Sequence, residues 1–192
     1  MKTSTIASVV LCVAAAMSAS NLYAQGTFRP FQKLRAQLVQ PSCGEVKMNS
    51  VTPSFFGKTQ EGDHKTPIGD FGITTAFGIK ENPGTALPYI DVDENTYCCG
   101  DENFYNQMID ISEHPHDCAD GEHIIDYSPE YNYGIFIDYN KDGTPGLGSA
   151  IFFHCAGANT YTGGCIAVSE ENMLTILKAL DINARIIIDY IP

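Results

Sequence analysis

His154 and Cys165 carry the densest chemical content of the chain, and Gly163 and Gly164 stand directly before the cysteine. A thiolate is a strong nucleophile, and an imidazole within hydrogen-bond reach can generate it by taking the thiol proton. The two glycines free the backbone to turn amide N–H groups toward a developing oxyanion. A third group is needed to orient the imidazole, and the backbone carbonyl just after the histidine is placed to do so. The chemistry predicted from these residues is covalent catalysis by cysteine with a histidine base.

The flanking sequence supplies elements that position this pair. Gly148-Ser149-Ala150-Ile151-Phe152-Phe153-His154 is apolar and reads as a strand over 149–154 that delivers the histidine. A loop returns the chain to Thr162-Gly163-Gly164-Cys165, and Ile166-Ala167-Val168 reads as a buried strand beside the first. Ser169 then suits a helix N-cap, with Glu170 and Glu171 favourable to the helix dipole. Met173, Leu174, Leu177 and Leu180 recur at helical spacing, and 184–191 reads as a last strand. Upstream, 46–56 reads as extended, and Thr66-Pro67-Ile68-Gly69-Asp70-Phe71 resumes a strand with proline suited to an edge. Strand signal recurs at Ile124-Ile125 and over 133–139. Residues 79–122, rich in Asn, Asp, Gly, Pro and Cys, read as a loop-rich insert too long to be inert. The expected fold is mostly β and mostly antiparallel, with one or two peripheral helices and a long cysteine-containing insert.

The N-terminus has one early cation, Lys2, an uncharged apolar run from Ile6 to Ala16, and small residues up to Ala24. This pattern is expected to be a signal peptide over 1–24, cleaved to leave one domain over 25–192 in a secreted, periplasmic or wall-associated protein. The run is too short for a comfortable membrane span, so no stable membrane insertion is expected. The chain holds 11 Lys+Arg against 23 Asp+Glu, for a net charge of −12. With no basic stripe to displace counterions, nucleic acid is not an expected partner.

Beyond the leader lie Cys43, Cys98, Cys99, Cys118, Cys155 and Cys165. In an exported chain such a set suggests disulfides. The expected staple joins Cys98 or Cys99 to Cys118, while a Cys155–Cys165 bond would silence the nucleophile. His114, His116, Asp117, Cys118 and His123 are metal-ligand types without a recognised spacing, and they read as a polar loop. Asp138 to Gly143 imitates the start of a calcium loop, but Ser149 stands where a bidentate Glu is required, so the segment reads as a turn. Tyr127, Tyr131 and Tyr133 alternate with polar residues and read as one face of a strand. Tyr127 is also a candidate for lining a substrate cleft.

Three segments together resemble the YkuD-type L,D-transpeptidase catalytic domain: 66–71, 148–154 and 162–168. The histidine-before-cysteine order separates them from papain-like and NlpC/P60-like peptidases. The resemblance implies a capped β-sandwich and an enzyme that attacks peptidoglycan stem peptides. Such an enzyme cleaves after the L centre of a diamino acid and passes the acyl group to an amine. Carried across, Cys165 is the nucleophile, His154 the general base, the Cys155 carbonyl its orienting group, and the Gly164 and Cys165 amides an oxyanion hole. Thr162, Gly163 and Tyr127 are candidate substrate-binding residues. No metal or organic cofactor is implied, and a monomer is expected. Many members have histidine where this chain has Gly163, and arginine where it has Ala167; the loop from His154 to Cys165 is also short. These departures leave water as an alternative acceptor, giving an L,D-carboxypeptidase. A secreted binding protein on the same scaffold is a further reading, motivated by the acidic insert.

Overall fold

The computed structural model describes residues 34–40, 44–49, 57–114, 118–159 and 161–190. The expected leader, residues 50–56, Cys43, His116 and Asp117 lie outside them. The strands in chain order are β1 (Leu34–Gln40), β2 (Gly44–Asn49), β3 (Gly69–Gly78), β4 (Tyr89–Asp91), β5 (Thr96–Cys99), β6 (Gln107–Asp110), β7 (Glu122–His123), β8 (Gly134–Ile137), β9 (Phe152–Cys155), β10 (Ile166–Val168) and β11 (Arg185–Tyr190). One α-helix, α1 (Glu170–Ala179), lies between β10 and β11.

The larger sheet runs β10-β9-β8-β3-β11-β1-β2, with β4 paired to β3. Most of its pairings are antiparallel, but β10 with β9 and β4 with β3 are parallel. A parallel neighbour needs a crossover connection, and here it is the loop holding the double glycine. The smaller sheet is β6-β5-β7. Among the described residues the fold is thus mostly β, with one α-helix and two sheets, and the mostly-β class is as the sequence predicts.

All four residues of β9 are buried, which fits a strand covered on both faces. Side chains along a strand alternate, so β9 serves two cores. Phe153 and Cys155 join Ile135, Ile137, Ile166, Val168, Met173 and Leu177 on the α1 side of the sheet. Phe152 joins Phe77, Cys98, Ile124, Tyr131 and Cys165 on the other side. α1 forms as its sequence directs: the Ser169 side chain accepts from the Asn172 amide at 3.3 Å, and Met173, Ile176 and Leu177 are buried. Phe153→Ala is expected to destabilise the fold by about 3–5 kcal/mol. The check is a lower urea midpoint at an unchanged slope.

Several local readings are corrected. The insert is not mere loop: it carries β4 into the main sheet and supplies most of the second sheet. Ile124-Ile125 is not strand but a 3-10 turn, Ile124–Asp126, that drops Ile124 into the core. Tyr127, Tyr131 and Tyr133 do not share a strand face, because a second 3-10 turn, Glu130–Asn132, intervenes. Asn140 closes the calcium-loop mimic as a turn, donating to the Thr144 and Gly148 carbonyls at 3.0 and 2.9 Å. Among the described residues no helix is long and apolar enough to cross a membrane.

Candidate active site

Cys165 ends the crossover loop one residue before β10, and His154 sits in β9. In the parallel register Ala167 is paired with His154 and Ile166 with Phe153. Cys165 and Ala167 both point to the face that His154 uses, and all three line one cavity of about 670 Å³. Lys58, Glu61, Glu122, Tyr127, Glu130 and Tyr131 also line it.

The imidazole is fixed from two sides. Its Nδ1 donates to the Cys155 carbonyl at 2.7 Å, and the Tyr131 ring meets it edge-on with centroids 5.3 Å apart. A carbonyl can only accept, so Nδ1 carries the proton and Nε2 keeps its lone pair for a base's work. Burial holds the His154 pKa below its ordinary value, opposed by the Cys155 carbonyl and by Glu130.

The thiol is held differently from the expectation. Cys165 Sγ donates to the Ala150 carbonyl at 3.1 Å and accepts from the Phe152 amide at 3.3 Å. Among the described residues no hydrogen bond joins it to His154. Its pKa is pushed up to about 12, first by burial and then by the Glu122 carboxylate, with the Phe152 N–H and Lys58 pulling the other way. The sequence expectation is an imidazole within hydrogen-bond reach of the thiol, ready to generate a thiolate. Burial instead disfavours both charges, so the resting pair is thiol and neutral imidazole. Thiol and imidazole share a cavity without a standing ion pair, so thiolate chemistry there would need the proton removed as a substrate binds.

The loop before the thiol has a defined shape. The Thr162 hydroxyl accepts from the Gly164 amide at 3.3 Å and donates to the Cys165 carbonyl at 2.8 Å. The Gly164 amide therefore has a partner at rest, and service as an oxyanion donor requires it to be shared or released. Gly164 has φ +141°, and a Cβ there would lie 2.5 Å from the Lys65 carbonyl oxygen. At Gly163 a Cβ would meet nothing within 4 Å. The position where many family members hold a histidine is open space here.

Cys155 cannot compromise the nucleophile by bonding to it. Its side chain lies in the α1-side core while Cys165 lies on the opposite face of the sheet. Among the described residues no disulfide joins any cysteines. Tyr127 is 43% exposed at the cavity, its ring 5.2 Å from that of Tyr131.

Sequence reasoning missed the polar groups behind the thiol. Tyr131 Oη donates to Glu122 Oε2 at 2.6 Å, and burial holds the Glu122 carboxyl above its usual range against that hydrogen bond. Glu130 underlies Gly157, where a Cβ would collide with its carboxylate. Lys58 forms a buried ion pair with Asp63 at 3.3 Å. Only the acidity of the 79–122 segment hinted at Glu122, and no periodicity placed it beside Cys165. Among the described residues, His114, Cys118 and His123 of the metal-like set do not come together as one group. His123 is bound through Nδ1 to Asp126 and through Nε2 to the Glu94 carbonyl, both at 2.9 Å. His114 lies against Phe104.

No curated protein and no solved structure is significantly similar to the chain. The family model described as the YkuD L,D-transpeptidase catalytic domain matches residues 42–188, well over half of the sequence and all of the site. The chain belongs to the L,D-transpeptidase catalytic domain family.

Proposed function

We propose that the protein is an exported L,D-transpeptidase that uses Cys165 and His154 on peptidoglycan stem peptides, as a monomer and without a cofactor. The observation that carries this reading is the placement of thiol and imidazole on one face of the β9–β10 pair, in one cavity, within a family-matched domain. A leader over 1–24 and a mature domain over 25–192 accord with the export that such a substrate demands.

In the proposed reaction, Nε2 of His154 takes the Sγ proton as sulfur attacks the carbonyl at the L centre of the diamino acid. The amide bond breaks, the proton passes to the leaving D-amino acid, and a thioester remains on Cys165. An incoming amine then gives up a proton to His154 and displaces the sulfur, restoring the thiol. The Cys155 carbonyl keeps Nδ1 protonated throughout, so the base always presents Nε2. Thr162, Gly163 and Tyr127 lie along the cavity and would contact the stem.

A second reading keeps the acylation and makes water the acceptor. It is favoured by the open space at Gly163 and by Ala167, a buried residue that offers no charge to an incoming stem. Incubating the purified protein with tetrapeptide stems decides among these. Release of D-alanine with an acyl adduct on Cys165 is expected, and crosslinked dimers mark transfer. Tripeptide alone marks hydrolysis. Absence of both release and adduct from reduced protein overturns the enzymatic reading.

A further inference from the structure

We propose that Cys99, Asp101 and Cys118 form a binding site for a thiophilic divalent cation, zinc by its chemistry, behind the wall of the catalytic cleft. The two sulfurs and a carboxylate oxygen lie within 4.8 Å of one another, and Cys99 Sγ is 3.6 Å from Asp101 Oδ2. Tetrahedral bonds of zinc to sulfur and to oxygen place such neighbours about 3.5 Å apart. The Cys99–Asp101 pair thus already has a coordinating spacing, and the Cys118 sulfur lies within 4.8 Å of both. Both cysteines are buried, and Asp101 is partly exposed. That gives an entry path, and three protein ligands leave the fourth position to solvent.

The backbone is shaped to bring these ligands together. Cys99 ends β5, and a Cβ on Gly100 would collide with the Asp120 carbonyl. Across from it, a Cβ on Gly121 would lie 2.9 Å from the Cys98 carbonyl and 3.0 Å from that of Cys118. Two turns approach so closely only because both carry glycine. Cys118 has φ +42°, a conformation unusual for cysteine, and its carbonyl accepts from the Gly121 amide at 2.8 Å. Strain of that kind is kept where the surroundings require the side chain in one place.

Donor type selects the ion. Two thiolates and one carboxylate suit zinc and exclude calcium or magnesium as preferred guests. Binding displaces the two thiol protons to solvent, and no electron is transferred.

The location gives the site a purpose. β5 alternates, so Cys98 faces Cys165 and the cleft while Cys99 faces Cys118. Glu122 is the register partner of Cys98 in the β5–β7 pair. An ion linking the end of β5 to the turn before β7 therefore fixes the strands that present Cys98 and Glu122 to the nucleophile.

The test is a cobalt titration of the reduced, chelator-treated protein without oxygen. Thiolate-to-cobalt charge-transfer absorption saturating at one equivalent, displaced by zinc and accompanied by a rise in Tm, is expected. Cys165→Ala should bind as the parent does, which separates this site from the catalytic thiol. Cys99→Ser and Cys118→Ser should lose the absorption. Asp101→Asn should keep sulfur ligation but weaken affinity at least about tenfold. Absence of charge transfer while the thiols titrate as reduced overturns the proposal. So does a Cys99–Cys118 disulfide without metal in protein isolated from its exporting host. The titration involves no stem peptide, so its result does not depend on the enzymatic reading.

Discussion

Cys165→Ser and His154→Ala are each expected to lower kcat/KM for D-amino acid release by at least about 10,000-fold, with little added loss in the double variant. Groups that act as one unit behave in this way, because removing either stops the same proton transfer. Both positions are buried on one cavity wall, so thermal unfolding must be followed alongside to show that the variants fold. The structure also gives the pH dependence a direction. The proposed mechanism needs His154 neutral in the free protein, and burial lowers its pKa from the ordinary 6.5. The acid limb of kcat/KM is therefore expected below the usual histidine range. Alkylation of Cys165 in the absence of substrate is expected to keep rising with pH through 9 without a plateau, because burial pushes its thiol up to about 12. His154→Ala should change that profile little, since a neutral ring contributes no charge to it. A plateau near neutrality that moves upward in the variant would instead reveal a standing thiolate–imidazolium pair.

The same histidine affects stability. Its folded pKa lies below its unfolded one, so the unfolded chain binds the extra proton first. Stability is fully present above the ordinary 6.5 and is lost as pH falls from there through the lower folded value.

The parts of the molecule legible in the sequence are those whose signal is local. The Phe-Phe-His-Cys run of β9, the Ile-Ala-Val of β10 and the capped helix after Ser169 each carry their own periodicity or punctuation. The resemblance to the family rests on these segments. The second sheet was not legible because its strands are two to four residues long, and their stability comes from pairing across the insert. Ile124 and Ile125 were misread for a related reason: two β-branched residues suit a strand locally, yet one 3-10 turn buries the first of them just as well. Residue types predicted which groups could act at the site, but not their protonation. The high thiol arises from burial under Phe77, Phe152 and Tyr131 and from Glu122, which approaches from another sheet. Spacing from Cys165 to His154 contains none of that.

Of the two glycines before the thiol, Gly164→Ala is expected to be the damaging methyl addition and Gly163→Ala the mild one. At Gly164 two costs combine. The φ of +141° lies where an L side chain is strained, and the new methyl would stand 2.5 Å from the Lys65 carbonyl oxygen, which is backbone and cannot rotate away. Together these should cost about 3 kcal/mol or more of stability. Relief requires the loop to shift, which would break the Thr162 hydrogen bonds to Gly164 and Cys165 and move the thiol off the Phe152 amide. Activity should fall further than stability alone explains, because displacing a reacting atom by about 1 Å is enough to lose about 100-fold in rate. Gly163 has ordinary backbone and open space around its Cα, so alanine there should keep Tm close to the parent, and any fall in acylation would report its contact with the stem. Denaturant melts and the rate of acyl-adduct formation on Cys165 measure the two effects separately. Equal tolerance at both positions would mean that the loop is not held in this shape. Loss at Gly163 alone would mean that the open space is filled by substrate during acylation, and that even a methyl obstructs it.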